Sequence, residues 1–156
     1  MAKVTILMGS KSDMDVMKKA ADFLTENEIE VDMQVASAHR NPDRVHNICK
    51  DVEENSDVVI TGAGMAAHLG GVVASLTTKP VISVPIGSST IGGLDALLST
   101  VQMPSGIPVA TVAINGSKNA AILAMEIIGI YNKDVKSKII KLRESFNEAW
   151  PSLTSS

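Results

Sequence analysis

The chain contains 156 residues with a formal net charge of −3, and 45% of them are hydrophobic but only 3% aromatic. This length suits a single domain with a substantial core, and the lack of a basic charge excess or aromatic stacking platforms argues against binding to nucleic acid or an anionic membrane. The single cysteine, Cys49, excludes an internal disulfide, and the first apolar stretch is too short for a signal peptide or a membrane span, so we expect a cytoplasmic protein.

Alternating blocks of apolar residues predict five strands and five helices in succession. The strands are predicted at residues 4–8, 30–36, 57–61, 80–85 and 109–114. Helical spacing of apolar residues at 14–24 and 45–52 predicts the first two helices, and 66–76, 94–101 and 118–131 predict the next three. Short connections between these elements imply right-handed crossovers. We therefore expect an α/β fold, a single domain with a doubly wound, parallel, five-stranded sheet.

One further helix is predicted at residues 134–150. Its apolar face consists of Val135, Ile139, Leu142, Phe146 and Trp150. The helix either completes a layer on the sheet or forms an arm that packs on a neighbouring subunit. We favour the arm because the hydrophobic content is at or just above the usual range, which suggests surface buried between subunits, although a well-filled sheet explains the same content.

Three polar clusters each follow a predicted strand and precede a predicted helix. They are Gly-Ser-Lys-Ser-Asp at 9–13, Ser-Ala-His-Arg-Asn-Pro at 37–42 and Gly-Ala-Gly-Met-Ala-Ala-His at 62–68. The carboxyl ends of parallel strands meet at one edge of a sheet, where α/β folds bind their ligands. The three clusters therefore predict one shared site.

The first cluster has the composition of an anion site at the start of a helix. Unpaired backbone N–H groups and the hydroxyls of Ser10 and Ser12 suit a phosphate, and Asp13 suits the hydroxyl groups of a ribose. Helix capping alone explains one such residue, whereas three polar side chains crowd this turn. The lysine pattern of a Walker motif is absent.

The second cluster combines a proton carrier with an anion-binding group. Arg40 offers a planar fork that binds phosphate in two places, and His39 is the side-chain type best able to give and recover a proton near neutral pH. A histidine in a loop is more often a solvated surface residue. The neighbouring Arg40 and Ser37 favour a catalytic role for His39.

The third cluster has the form GxGxxA but lacks the context of a dinucleotide site. It follows the third predicted strand, and no acidic residue lies about 20 positions further on. Small residues here instead let the backbone approach a flat ligand closely. His68 is either part of the floor of that pocket or a packed histidine that is bonded to the backbone.

Other segments add candidates for the rim of the site and exclude two kinds of chemistry. The loops at 88–90 and 102–106 are candidates for a fourth wall or a mobile loop. No Cys/His cluster or carboxylate pair has metal-ligand spacing, so no metal is predicted. No GxSxG motif is present, which argues against an acyl hydrolase.

Together these motifs resemble those of the PurE family of purine biosynthesis. The similarity covers residues 4–131 and rests on GSKSD, SAHRNP, GAGMAAHLGG and the downstream VQMPSGIPV, in this order. The resemblance implies a flavodoxin-like three-layer domain that assembles as a homo-octamer. It also implies a reaction that moves a carboxylate from the exocyclic nitrogen of an aminoimidazole ribonucleotide to ring carbon 4, with no ATP, metal, biotin or other cofactor.

The resemblance also assigns roles residue by residue. His39 is expected to be the single general acid/base. The phosphate- and ribose-binding residues are expected to be Ser10, Ser12, Asp13, Ser37 and Arg40, and the wall around the imidazole and the migrating carboxylate Ala63, Gly64, His68 and Leu69. We expect a catalytic domain at 1–132 and a C-terminal helical extension at 133–156 that packs on a neighbouring subunit.

Two branches of the family differ at these motifs. His39-Arg40 and Ala67-His68-Leu69 resemble the mutase branch, whereas the branch that uses free carbon dioxide typically has His-Lys and a third motif rich in Ser and Asn. The chain departs from many relatives at Met65, where glycine is frequent, and at Gly70, where proline is common. The alternatives to a mutase are a carbon-dioxide-dependent carboxylase and a non-catalytic nucleotide-binding module.

Overall fold

The computed structural model describes residues 1–88 and 90–149, and within them five parallel strands form one sheet. The strands are β1 (Lys3–Met8), β2 (Glu30–Val35), β3 (Val58–Gly64), β4 (Val81–Ile86) and β5 (Ala110–Thr111). Their order across the sheet is β2-β1-β3-β4-β5. β2 lies on one side of β1, whereas β3, β4 and β5 follow one another on the other side. This reversal of direction leaves a crevice at the carboxyl ends of β1 and β3.

Helices cover both faces of the sheet, as the sequence predicts. They are α1 (Met14–Glu26), α2 (Pro42–Asn55), α3 (Leu69–Leu76), α4 (Leu94–Val101), α5 (Ser117–Ile128) and α6 (Lys133–Ala149). Along β1, Ile6 and Met8 pack with apolar residues of α1 and α5, while Leu7 faces the opposite way and packs with α2 and α3. This alternation confirms the doubly wound, flavodoxin-like three-layer sandwich. Every helix in the described part of the chain is too short or too polar to cross a membrane.

Two strands, β3 and β5, end three residues away from their predicted ends. β3 continues to Gly64, three residues beyond its predicted end, and α3 begins only at Leu69. β5 is limited to two residues instead of the predicted 109–114. Pro85 lies in β4 beside this edge and has no N–H group to donate, so the ladder stops after the amide of Val112 binds the carbonyl of Ser83 at 3.1 Å.

The C-terminal helix α6 makes contacts within its own chain. Val135 is buried in the core cluster on the α1 and α5 side, and Ile139 packs against that cluster. The Nζ atom of Lys138 donates to the carbonyl oxygen of Asn27 at 2.6 Å, just beyond α1. The first half of α6 therefore covers its own domain, while Phe146 stays 49% exposed. Packing of this helix on a neighbouring subunit remains a prediction, and Trp150 and residues 151–156 lie outside the described residues.

Glu53 in α2 holds the loop between α3 and β4. Its carboxylate accepts hydrogen bonds from the hydroxyl of Thr77 at 2.5 Å and from the amide and hydroxyl of Thr78 at 2.8 and 2.5 Å. These donors lower the pKa of Glu53 from its ordinary value of 4.5 to about 2. The folded state therefore stabilises the charged form of the Glu53 carboxyl group.

Replacing Glu53 with glutamine is expected to destabilise the protein modestly at neutral pH, because the carboxylate is exposed to solvent. The lowered pKa means that its contribution is fully present above pH 4.5 and is lost as the pH falls towards about 2. Urea unfolding of both proteins between pH 7 and pH 3 measures the difference. Glu54→Gln, one residue along α2, is the charge-matched control, and a Glu53→Gln effect that does not shrink with falling pH would contradict this account.

Candidate functional site

One cavity of about 450 Å³ opens at the carboxyl edge of the sheet, where the loops after β1, β2 and β3 meet. Its lining residues come from all three predicted clusters, from the first residue of α3 and from one further loop. They are Gly9, Ser10, Ser12, Asp13, Ser37, Ala38, His39, Arg40, Ala63, Gly64, Met65, Ala67, Leu69 and Ser88. The structure therefore brings together nine of the ten predicted site residues and leaves out His68.

The loop after β1 is rigidified by hydrogen bonds among its own polar groups. Ser10 caps the 3-10 turn Lys11–Asp13, and its Oγ accepts hydrogen bonds from the amide of Ser12 at 3.3 Å and from its hydroxyl at 3.0 Å. In return, the amide of Ser10 donates to the carboxylate of Asp13 at 3.1 Å. This is a capping box that presents two serine hydroxyls to the cavity.

Asp13 is the one carboxylate among the lining residues. It is only 4% exposed, and this burial raises its pKa, while the hydrogen bond from the Ser10 amide opposes the increase. A buried carboxyl at the side of a polar cavity is suited to accept hydrogen bonds from the hydroxyl groups of a ligand. A phosphate placed directly beside it would be repelled.

The loop after β2 is folded on Ser37 and joined to the loop after β1. The carbonyl of Ser37 accepts from the amide of Asn41 at 3.0 Å, and its hydroxyl accepts from the amide of Arg40 at 3.2 Å. The Nη2 atom of Arg40 donates to the carbonyl of Gly9 at 3.0 Å. Arg40 therefore bridges the first two loops, and His39 beside it lies exposed on the cavity wall.

The end of β3 supplies a wall of small residues. A side chain at Gly62 would overlap the thioether of Met17, which is fully buried in α1, and a side chain at Gly64 would overlap the hydroxyl of Ser88. Glycine at these two positions therefore allows α1 and the loop after β4 to approach the strand. Ala63 and Gly64 form the cavity wall that this close packing leaves.

Ser88 is a lining residue that the sequence identified only as part of a candidate fourth wall. It follows β4 in the same way that the three clusters follow β1, β2 and β3, and this position is the signal that could have placed it in the site. Its neighbour Ser89 lies outside the described residues. The other candidate segment, Gln102 to Gly106, contributes no lining residue to this cavity.

His68 takes the second of its two predicted arrangements, a histidine packed against backbone. Its Nδ1 atom lies 2.6 Å from the carbonyl oxygen of Ser99 in α4, and its ring lies against Gly71, where any side chain would overlap it. The residue precedes α3 and does not line the cavity. A direct contact between His68 and a ligand remains a prediction that this arrangement does not favour.

The charges of the cavity suit a ligand with an anionic end and hydroxyl groups. Arg40 brings a positive charge to the same cavity as the hydroxyls of Ser10, Ser12 and Ser37, and the carboxylate of Asp13, which accepts from the Ser10 amide, adds a hydrogen-bond acceptor. His39 is the one histidine in the lining. The arrangement can bind a phosphorylated sugar and transfer one proton. Within residues 1–88 and 90–149, no group of three or more His, Cys, Asp or Glu residues is placed to hold a metal ion.

Comparison with known proteins places this cavity in a defined family. The family model described as AIR carboxylase matches residues 3–149. The chain is 56% identical over 145 residues to the N5-carboxyaminoimidazole ribonucleotide mutase of Pyrococcus abyssi, covering 92% of this chain and 83% of that one. The mutase of Thermotoga maritima is 52% identical over 92% of this chain and 85% of its own length.

A solved structure gives the same assignment for the fold. The crystal structure of Treponema denticola PurE matches with a TM-score of 0.88 and 34% sequence identity, over 96% of this chain and 94% of that chain. The match in fold, the family model and the identity to the mutases agree over nearly the whole described chain. The chain belongs to the AIR carboxylase family, the PurE family that its four motifs resemble.

Proposed function

We propose that this chain is an isomerase of purine biosynthesis that converts N5-carboxyaminoimidazole ribonucleotide into 4-carboxy-5-aminoimidazole ribonucleotide. The observation that carries the proposal is the single cavity in which Arg40, four serine hydroxyls, Asp13 and His39 converge. The 56% identity to a mutase of this name supports the same reaction. The substrate class is therefore a phosphorylated ribonucleotide with a small aromatic heterocycle.

The ribonucleotide binds with its phosphate at Arg40. One of the five N–H groups of the guanidinium is committed to the Gly9 carbonyl, and this bond positions the rest of the fork at the junction of two loops. The serine hydroxyls add further donors to the phosphate, and Asp13 accepts from the ribose hydroxyls. The heterocycle then extends towards the small residues Ala63 and Gly64.

The reaction needs one proton to move in each of two steps. In the first step, the bond between the exocyclic nitrogen and the carboxylate carbon breaks, carbon dioxide leaves, and the nitrogen takes a proton from the His39 imidazolium. In the second step, ring carbon 4 attacks the carbon dioxide, and the proton on that carbon passes to the neutral imidazole. His39 returns to its starting state, and no other reactant is consumed.

The assembly proposed for this enzyme is the homo-octamer implied by the family resemblance, in the cytoplasm. Support comes from apolar residues on and beside α4 that are about half exposed in the single chain, and Phe146 in α6 is a further apolar residue that is half exposed. The residues near α4 are Ile91, Leu94, Leu98 and Val101. Sedimentation equilibrium of the purified chain tests this assembly, and a monomer at micromolar concentration would refute it.

A spectroscopic assay of substrate interconversion, with and without added bicarbonate, tests the reaction. A mutase forms the 4-carboxy product from the N5-carboxy substrate at a rate that does not depend on bicarbonate. A carbon-dioxide-dependent carboxylase instead uses uncarboxylated aminoimidazole ribonucleotide and needs bicarbonate. Nucleotide binding without either conversion would identify a non-catalytic module and refute the proposal.

A further inference from the structure

Met65 lies in a tight turn beside the cavity, at a position whose backbone conformation favours glycine. The carbonyl of Gly64 accepts a hydrogen bond from the amide of Ala67 at 3.4 Å, which closes a four-residue turn directly after β3. Met65 has a φ of 53°, whereas Ala66 does not have a positive φ. A positive φ at the first central position of a tight turn is normally found with glycine. A methionine at this position therefore carries a conformational cost that glycine would avoid.

The two other described non-glycine residues with positive φ make polar contacts at their turns. The side-chain oxygen of Asn115 accepts a hydrogen bond from the Gly87 amide at 2.9 Å, and the carboxylate of Glu28 binds Lys138. Met65 has no such polar group, and its side chain is not part of the core, because the residue is 64% exposed. Neither a local hydrogen bond nor core packing explains methionine at this turn.

The side chain instead lies at the cavity. Met65 and Leu69 are the only large apolar residues among the lining residues, and the rest of the apolar lining is alanine and glycine. Leu69 is 1% exposed and is held in the core, so Met65 is the large apolar lining residue that can move. Methionine is unbranched and adapts its shape to what it covers.

We propose that Met65 covers the reacting end of the cavity and retains carbon dioxide between the two steps of the reaction. This inference rests on the proposed function. Carbon dioxide carries no net charge, so Arg40 and the serine hydroxyls cannot hold it by charge. It stays beside the heterocycle only if escape and hydration by water are prevented sterically. A large, movable apolar side chain next to the small wall of Gly64 supplies that barrier.

The test compares Met65→Gly, Met65→Ala and Met65→Leu with the parent protein. Enzyme in excess is mixed with N5-carboxyaminoimidazole ribonucleotide labelled with ¹⁴C in the carboxylate, and the label retained in the 4-carboxy product is counted after one turnover. A sample without enzyme corrects for spontaneous loss. We expect the glycine and alanine variants to lose a several-fold larger fraction of label than the parent, and the leucine variant to retain it as the parent does.

The glycine and alanine variants distinguish the effect of the Met65 side chain on label retention from the effect of the backbone conformation. Both remove the apolar group, but only glycine relaxes the positive φ, so the glycine variant should be at least as stable to heat as the alanine variant. Loss of label by the glycine variant but not by the alanine variant would assign the effect to the backbone and overturn the proposal. Full retention of label by both variants would also overturn it. If the parent itself forms no product, the proposed function fails, whereas conversion by the parent without leakage from the variants refutes only the role of Met65.

Discussion

Replacement of His39 by asparagine is expected to lower kcat by about 10²–10⁴-fold, the usual contribution of a general acid/base. Asparagine is similar in size and polarity but cannot carry a proton between the exocyclic nitrogen and ring carbon 4. Arg40, Ser37 and the capping box of the first loop stay in place, because none of their hydrogen bonds in the structure involves the His39 side chain. Steady-state kinetics gives kcat, and calorimetric titration with the 4-carboxy product gives an affinity that we expect to be largely unchanged.

His46→Asn is the matched control for this experiment. His46 is exposed on α2 and is absent from the cavity lining, so its replacement should leave kcat and affinity unchanged. A His39→Asn variant with a near-normal rate would assign the proton transfer to another residue. A variant that lost affinity as strongly as rate would show that His39 mainly binds the ligand.

Replacement of Gly70 by alanine is expected to destabilise the protein by about 1–3 kcal/mol, although alanine favours helix over glycine by about 1 kcal/mol. The added methyl group would overlap the hydroxyl of Ser83 and lie 3.0 Å from the Oγ1 atom of Thr61. Those two hydroxyls form a buried hydrogen bond of 2.5 Å beneath the first turn of α3. The cost of overpacking and of disturbing this bond exceeds the gain in helix propensity.

A double-mutant cycle isolates this clash. Ser83→Gly removes the obstructing side chain, so Gly70→Ala should cost less in that background than in the parent, as urea unfolding can measure. Gly9→Ala is the control, because the nearest atom to its methyl group would be in Leu69 at 4.0 Å. Equal costs of Gly70→Ala in both backgrounds would contradict the contact. The same contact explains why glycine stands at position 70.

Much of the site could be predicted because it depends on the direction of the strands. Once β1, β2 and β3 are parallel, the residues that follow them must meet at one edge, whatever the details of their packing. Ser10, Ser37 and Gly64 therefore belong to one cavity, as their positions after apolar runs indicate. The roles of these residues and of His39 in the reaction stay predictions until the variants are measured.

The features that the sequence did not reveal depend on neighbours that are distant along the chain. β3 continues through Ala63 and Gly64 because their backbones pair with Pro85 and Ile86, and this pairing does not depend on side-chain pattern. His68 lies against α4, where its Nδ1 atom is 2.6 Å from the carbonyl oxygen of Ser99, and this contact joins residues that are 31 positions apart in the chain. The order of polar and apolar residues by itself determined the α/β class, the succession of elements and the edge that holds the site. The tertiary structure alone decided which side chains face the cavity, because that choice depends on contacts between residues that only folding brings together.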